Sequence, residues 1–198
     1  MEVDLSKLTP DVRSLDEMRM VLSDQEFAKN APNADLYHMY RGIEEKDGIR
    51  YDITVIGAKI LGNEFPKTKG HYHVGNYQEI YTVLEGQAIY LMQKKKNGNE
   101  IGDVFAVKAQ KGDVLVIPSN YGHMTINPSG TQELKMANWI SSDCKSDYSL
   151  FEKNQGACYY YVAPGTWVKN EHYKNVPPLR FEEPLKEVPK DLTFLKAI

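Results

Sequence analysis

Four side chains in this sequence have the types and the spacing of a metal-binding group. His71 and His73 lie two residues apart, so on a β-strand both imidazoles would point to the same face. Glu79 follows within the same stretch, and His123 comes much later in the chain. Three imidazole nitrogens and one carboxylate oxygen suit Fe²⁺, Mn²⁺, Ni²⁺ or Zn²⁺, and they leave coordination positions open for substrate oxygens. We therefore predict that these four residues bind one divalent metal ion.

The residues that follow Glu79 predict how its carboxylate is presented. Residues 79–84 have the β-branched and aromatic content of a strand, and alternation puts Glu79, Tyr81 and Val83 on one face. A turn signal, Gly75-Asn76, separates this strand from the histidine pair. A hairpin across that turn would bring the carboxylate and the imidazoles together inside a barrel.

Two segments around these residues share a pattern of glycine, proline and histidine. The first spans residues 70–86, and the second reads Gly-x5-Pro-x4-His-x3-Asn over residues 112–127. Both resemble the motifs of the cupin superfamily, although the spacing from His73 to Glu79 is longer than usual and Asn120 stands where Gly is usual. Asn tolerates a left-handed backbone better than most residues do. The resemblance implies an all-β, mainly antiparallel fold, the cupin double-stranded β-helix or jelly-roll barrel.

One branch of the superfamily matches more closely. Thr68-Lys69-Gly70 directly precedes the histidine pair, Tyr81 follows Glu79 by two residues, and Ser146-Asp147-Tyr148 follows the second motif. With these residues the chain resembles the cupin-type glucose-6-phosphate isomerases known mainly from archaea, over about residues 37–178. The resemblance implies a metal-dependent enzyme that interconverts glucose 6-phosphate and fructose 6-phosphate in glycolysis and gluconeogenesis. It also implies one Fe²⁺ per subunit, with Zn²⁺, Mn²⁺ or Ni²⁺ as alternatives, and a homodimer.

The same resemblance implies roles for individual residues. The residues that would bind the substrate are Tyr37, Thr54, Thr68, Gly70 and Tyr81. The residues that would act in catalysis are Glu79, Tyr81 and Tyr148. Tyr40 remains an alternative to Tyr37, because strand alternation puts the two on opposite faces and at most one points inward. Glu79 is a candidate both for ligand and for proton-transferring base, and these roles compete because metal binding lowers the pKa of a carboxylate.

Two positions depart from the pattern of that family. Relatives can carry a His two residues before the tyrosine that corresponds to Tyr148, thought to assist ring opening or proton transfer, and this chain has Ser146 there. Where a relative has Tyr near the end of the preceding strand, this chain is expected to have Trp139. The departures concern the catalytic detail more than the class of substrate.

The composition indicates an ordinary globular protein. The chain of 198 residues is 41% hydrophobic, enough to bury one full core. Lys and Arg number 24 against 27 Asp and Glu, a net charge of −3 that leaves no basic surface for nucleic acid. No apolar run is long enough to span a bilayer or to act as a secretory signal, and two cysteines are too few for a disulfide framework. We expect a cytoplasmic protein, and the family resemblance implies that its partner is a small sugar phosphate.

The order of patterns along the chain predicts three parts. Residues 1–34 are expected to form a helical extension, with capping boxes at Ser14 to Glu17 and at Ser23 to Glu26. Residues 35–170 contain short strands separated by turn signals, as in a β-barrel. Residues 171–198 contain several prolines and are expected to form an extended tail along the surface or across a partner subunit.

Two other functions remain open at the level of sequence. Three His and one Glu could hold Fe²⁺ with positions free for oxygen, as in a cupin dioxygenase acting on a small molecule. The chain could also be a sugar-phosphate-binding cupin that keeps the fold without the chemistry. Oxygen uptake after metal loading would identify the dioxygenase, and turnover of glucose 6-phosphate would exclude the binding protein.

Overall fold

The computed structural model describes residues 3–196, in which β-strands predominate. The strands are β1 (Asp11–Ser14), β2 (Asp35–Lys46), β3 (Ile49–Ile56), β4 (Tyr72–Val74), β5 (Glu79–Glu85), β6 (Gln87–Lys95), β7 (Ile101–Gln110), β8 (Val114–Ile117), β9 (Gly122–Ile126), β10 (Leu134–Ser141), β11 (Lys145–Asp147), β12 (Tyr159–Val162), β13 (Thr166–Lys169) and β14 (Arg180–Glu182). The α-helices are α1 (Leu15–Met18), α2 (Gln25–Asn30) and α3 (Ser149–Lys153), and the 3-10 helices are Leu5–Lys7, Arg19–Val21 and Thr193–Leu195. None of the helices within residues 3–196 combines the length and the apolarity needed to cross a membrane.

Two sheets form the barrel. The larger has the strand order β1-β2-β3-β10-β5-β8, and the smaller has the order β14-β7-β6-β9. Two further pairs, β4 with β11 and β12 with β13, complete the strands. All pairings are antiparallel except that of β14 with β7, which is parallel. The mainly antiparallel all-β cupin fold predicted from the sequence is confirmed.

Successive side chains of β5 alternate between the inside and the outside of the barrel, as the sequence predicts. Tyr81 and Val83 belong to the main core inside the barrel. Ile80 belongs to a smaller apolar cluster on the outer face, where Leu195 from the end of the chain packs against it. Because successive side chains of a strand point to opposite faces, this arrangement fixes the Glu79 carboxylate on the inside.

The N-terminal segment differs from the helical extension that its sequence predicts. Residues 11–14 form the strand β1, which pairs with β2 and so extends the larger sheet. The predicted capping box at Ser14 and Glu17 is present, and the Ser14 N–H donates to Glu17 Oε2 at 2.9 Å. The second predicted box, at Ser23, is wrong, because helix α2 starts one residue later and Asp24 accepts the N–H of Phe27 at 2.9 Å.

The C-terminal segment crosses the outside of the same chain. β14 joins the smaller sheet beside β7, and Leu195 is fully buried against the larger sheet. Pairing of β14 satisfies backbone groups at an edge that would otherwise be exposed. The segment is thus more ordered than an extended tail, while the division into extension, barrel and tail stays a prediction.

Candidate active site

The structure brings the four predicted metal ligands together at one end of the barrel. Their nearest ligand atoms all lie within 4.8 Å of one another. His71 forms an isolated β-bridge with His123, in which each backbone N–H donates to the other residue's carbonyl at 3.1 and 2.9 Å. The Glu79 carboxylate lies 3.3 Å from Nε2 of His73 and 3.2 Å from Nε2 of His123. The Glu79 carboxylate on β5 therefore lies against the His73 imidazole on β4 and the His123 imidazole on β9, which come from two separate sequence motifs.

Several polar atoms of this group are buried without a hydrogen-bond partner. Among the described residues, the buried side-chain atoms without a hydrogen bond include Nε2 of His73, Oε2 of Glu79 and both ring nitrogens of His123. Nδ1 of His73 lies 3.1 Å from the carbonyl of Tyr77, so a proton on Nδ1 leaves the Nε2 lone pair facing the group. Buried polar groups are normally satisfied, so this concentration of unpaired atoms fits a bound cation. The group could hold a metal ion.

The pKa values keep most of these residues in the form that binds a cation. Burial, and then the neighbouring His123, lowers the pKa of His71 well below its ordinary value, and burial also lowers that of His123. Burial alone would raise the pKa of Glu79, but His123 and His73 outweigh it and lower the pKa strongly. Burial would lower the pKa of His73, but Glu79 outweighs that effect and raises it. An ionised carboxylate and neutral imidazoles are the ligand forms that metals require.

One cavity contains the predicted substrate-binding residues together with this group. Its walls include Tyr37, Thr54, Thr68, Gly70, Tyr81 and Tyr148, as well as His71, Glu79 and His123. Tyr37 and not Tyr40 faces the cavity, because β2 presents alternate residues to the interior. The predicted substrate residues and three of the four candidate metal ligands therefore line one cavity, and His73 lies outside that lining.

The end of the cavity around Thr68 offers neutral hydrogen-bond donors. Thr68 Oγ accepts the N–H of Thr125 at 2.9 Å, and the Tyr37 hydroxyl accepts the N–H of Lys69 at 3.2 Å. Both hydroxyl protons therefore remain free for a ligand. Gly70 has φ +81°, and a Cβ there would stand 2.5 Å from the Phe151 ring, so both the backbone and the space require glycine.

Two tyrosines approach the metal group from different sides. Tyr81 is buried, and burial followed by the charge of Glu79 raises the pKa of its hydroxyl well above the ordinary value. Tyr81 is therefore a neutral donor at physiological pH. The Tyr148 ring lies 5.4 Å from the ring of His71, between centroids.

The two departures from the expected family pattern differ in position. Ser146 lines the cavity and pairs with His73 across β11 and β4. Trp139 does not line it: its ring packs on the outer face, 4.7 Å from the Tyr51 ring between centroids, and Ile140 forms the cavity wall instead. Trp139 is therefore a departure that lies outside the cavity, because alternation turns its side chain outward.

Polar residues of the wall that were missed by the sequence reasoning include Arg41 on β2, together with residues of β3 and β10. Arg50 and Asp52 lie on β3, and Asn138 lies opposite Asp52 on β10. Asp52 accepts from Arg50 Nε at 3.0 Å and from the Gly42 N–H at 2.7 Å. A signal was present, since Arg50 and Asp52 precede Thr54 by four and two residues and so share its face.

Comparison with known proteins identifies the family of this chain. The sequence pattern of the family described as Glucose-6-phosphate isomerase (GPI) matches residues 10–178. The chain is 31% identical to the glucose-6-phosphate isomerase of Thermococcus gammatolerans, over 72% of this chain and 75% of that protein. It is 30% identical to that of Thermococcus litoralis, over 69% and 72%. An oxalate oxidase structure is similar over 56% of this chain and 54% of that one, with 13% identity and a TM-score of 0.44. The chain belongs to the glucose-6-phosphate isomerase family.

Proposed function

We propose that this enzyme is a metal-dependent glucose-6-phosphate isomerase whose four clustered residues, His71, His73, Glu79 and His123, hold one divalent ion per subunit. The observation that carries the proposal is the set of unpaired ring nitrogens and carboxylate oxygen at the wall of a cavity with neutral donors. The mixed nitrogen and oxygen set suits Fe²⁺, with Zn²⁺, Mn²⁺ and Ni²⁺ as alternatives.

The phosphate of the sugar would bind at the Thr68 end of the cavity. Thr68, Thr54 and Tyr37 offer hydroxyl protons, and the Gly70 backbone allows close approach of the phosphate oxygens. This placement leaves C1 and C2 of the open-chain sugar beside Glu79. Anchoring the phosphate in this way orients the reacting carbons, which lowers the entropic part of the barrier.

The reaction moves a hydrogen between C1 and C2 of the sugar. Glu79 would take the proton from C2 of the aldose and return it to C1, while the hydroxyl proton passes in the same sense, from O2 to O1; both transfers run backwards from the ketose. Tyr81, which stays neutral, would donate a hydrogen bond to a substrate oxygen as negative charge develops there. When bound, the metal supplies Lewis-acid stabilisation of that charge. Tyr148 is the candidate for assisting ring opening.

The isomerase is favoured over a dioxygenase acting on a small molecule. Both would use the same metal ligands, but a phosphorylated substrate also accounts for the neutral hydroxyl donors in the cavity wall. Oxygen uptake after loading with Fe²⁺, in the absence of sugar phosphate turnover, would reverse this choice.

The family also supports a homodimer that acts in the cytoplasm, in glycolysis and gluconeogenesis. A half-buried group of Val3, Ile43, Tyr51 and Trp139 lies on the outer face of the larger sheet. Sedimentation measurement should give twice the chain mass of 22.6 kDa. A stable monomer at assay concentrations would contradict the dimer without affecting the reaction.

The experiment that tests the function is a coupled assay in both directions on chelated and on metal-restored protein. We expect interconversion of fructose 6-phosphate and glucose 6-phosphate that disappears with chelation and returns with Fe²⁺. His73→Ala should lose metal as measured by elemental analysis, because the remaining ligands form a less complete shell. His172→Ala is the matched control, since His172 is exposed and outside the cavity. Full activity in metal-free protein, or stoichiometric metal of unchanged affinity in His73→Ala, would refute the proposal.

A further inference from the structure

Two ion pairs lie close to the Tyr148 ring. Arg13 Nη1 is 2.9 Å from Glu17 Oε1, and the Arg13 guanidinium carbon is 5.7 Å from the centre of the Tyr148 ring. Lys69 Nζ is 2.6 Å from Glu152 Oε1 and 5.5 Å from the same ring centre. Two cations are thus near the Tyr148 ring.

Both ion pairs have the cation inside and the carboxylate outside. The exposed fractions of the side chains are 16% for Arg13 against 46% for Glu17, and 9% for Lys69 against 39% for Glu152. Water and salt screen the exposed carboxylates more than the less exposed cations. Each pair, although formally neutral, therefore presents a positive field to the cavity.

Arg13 is connected to the phosphate-binding end through Tyr37. The two residues are register partners in the antiparallel pair β1 and β2. Burial raises the pKa of the Tyr37 hydroxyl, and the nearby Arg13 charge acts in the opposite direction. Nε of Arg13 is buried and has no hydrogen-bond partner. The Tyr37 oxygen already accepts the Lys69 N–H, so its own proton is directed away from these donors.

We propose that Arg13 and Lys69 are positioning residues for a phosphomonoester dianion, Arg13 acting through Tyr37 from behind the cavity wall and Lys69 acting beside Tyr148 in the wall itself. This inference rests on the proposed function, because it places the substrate phosphate beside Tyr37. The donors that touch the phosphate are neutral, and the two cations supply the charge that favours a dianion over a neutral sugar. The N-terminal strand β1 is then part of the binding site and not a peripheral addition.

Arg13→Met tests the inference, since it keeps most of the side-chain volume and removes the charge. We expect the inhibition constant of inorganic phosphate and the KM for fructose 6-phosphate to rise together by about fivefold, the effect of one lost polar interaction. kcat and metal content should stay within about twofold, and Arg13→Lys should restore much of the phosphate binding. Arg19→Met is the matched control. Arg19 also stabilises the N-terminal segment, since it donates hydrogen bonds to Asp16 and to the Ala28 carbonyl, but it lies away from the site.

Glu17→Gln tests the sign of the effect. Glutamine keeps an acceptor oxygen for the Ser14 N–H but no longer neutralises Arg13. Phosphate binding should be unchanged or tighter, whereas a purely structural role of the pair predicts weakening like that of Arg13→Met. Weaker phosphate binding in Glu17→Gln, or equal binding in Arg13→Met and the wild type, overturns the inference.

The two proposals fail in different experiments. Calorimetric titration with inorganic phosphate needs no turnover, so it decides the role of Arg13 by itself. Wild-type protein that turns over fructose 6-phosphate while Arg13→Met binds phosphate normally refutes only the inference. Metal-loaded wild-type protein that shows no isomerisation refutes the proposed function.

Discussion

Glu79→Gln separates the two roles proposed for this carboxylate. Glutamine has nearly the same shape and keeps one oxygen that can face Nε2 of His73 and His123, which lie 3.3 and 3.2 Å from Oε2 in the native site. It loses the negative charge and cannot accept a proton from carbon. The substitution therefore preserves most of the geometry and removes the base.

The expected magnitude has two components. Mutation of a group that hydrogen-bonds a metal ligand lowers metal affinity by roughly 10–100-fold. Loss of the charged ligand itself should weaken metal binding by at least as much. Excess metal can restore occupancy, so this component can be removed. Loss of a general base should then lower kcat by about 10²–10⁴-fold, or about 2.7–5.4 kcal/mol in the activation barrier.

The assay is kcat at saturating fructose 6-phosphate, measured with metal titrated until its content per chain equals that of the wild type. Glu85→Gln is the control, since Glu85 ends the same strand with its side chain 63% exposed and a 3.6 Å pair to Lys135. An exposed pair contributes little, so this control should be within about 0.5 kcal/mol of the wild type in stability and unchanged in kcat. Thermal unfolding of both variants checks that the barrel is intact.

One result would refute the reasoning. That result is a kcat of Glu79→Gln, at full metal content, within about tenfold of the wild-type value. So small a loss in kcat is below the range that removal of a general base causes. Glu79 would then be a ligand only. Another group would have to carry the hydrogen between C1 and C2.

Three further predictions concern the phosphate end and the C-terminal segment. Thr68→Val should raise KM for fructose 6-phosphate by about fivefold with metal content unchanged, because one neutral hydrogen bond is lost; steady-state kinetics with unaltered KM and kcat would contradict it. Gly70→Ala should lower both thermal stability and phosphate affinity, because residue 70 has a positive φ and the new Cβ would clash with the Phe151 ring. An unchanged unfolding temperature together with unchanged phosphate binding would contradict this close contact between residue 70 and Phe151. Arg180 lowers the pKa of Asp103 from 3.8 to about 2, which stabilises the fold above pH 3.8. Asp103→Asn should therefore destabilise at neutral pH, and the difference should shrink as the pH falls towards 2 in denaturant titrations; a pH-independent difference would refute it.

The grouping of the four candidate ligands was predictable because its determinants are local. The two-residue spacing of His71 and His73 and the alternation from Glu79 to Tyr81 each follow from the period of a strand. Two motifs then had to meet, and the resemblance to cupins supplied that long-range pairing. Asn120 adopts φ +66°, in line with the left-handed tolerance expected of it.

The contribution of the N-terminal segment could not be predicted in the same way. Residues 11–14 read Asp-Val-Arg-Ser, which lacks the composition of a strand. They form β1 because the edge of β2 offers unpaired backbone groups, and a helix of only four residues follows. The position of Arg13 opposite Tyr37 is a consequence of that pairing, so a pattern search along the sequence cannot find it.

The assignment of Trp139 shows how sensitive a site is to register. Trp139 and Ile140 are neighbours on β10, and successive side chains of a strand point to opposite faces. Ile140 therefore lines the cavity, whereas Trp139 packs on the outer face. Ile140 offers no hydroxyl, so the polar groups at this level of the barrel come from the strand beside it. Arg50 is the register partner of Ile140 on β3, and its guanidinium is held by Asp52. The cavity wall at this level therefore carries a cation that Asp52 holds in place.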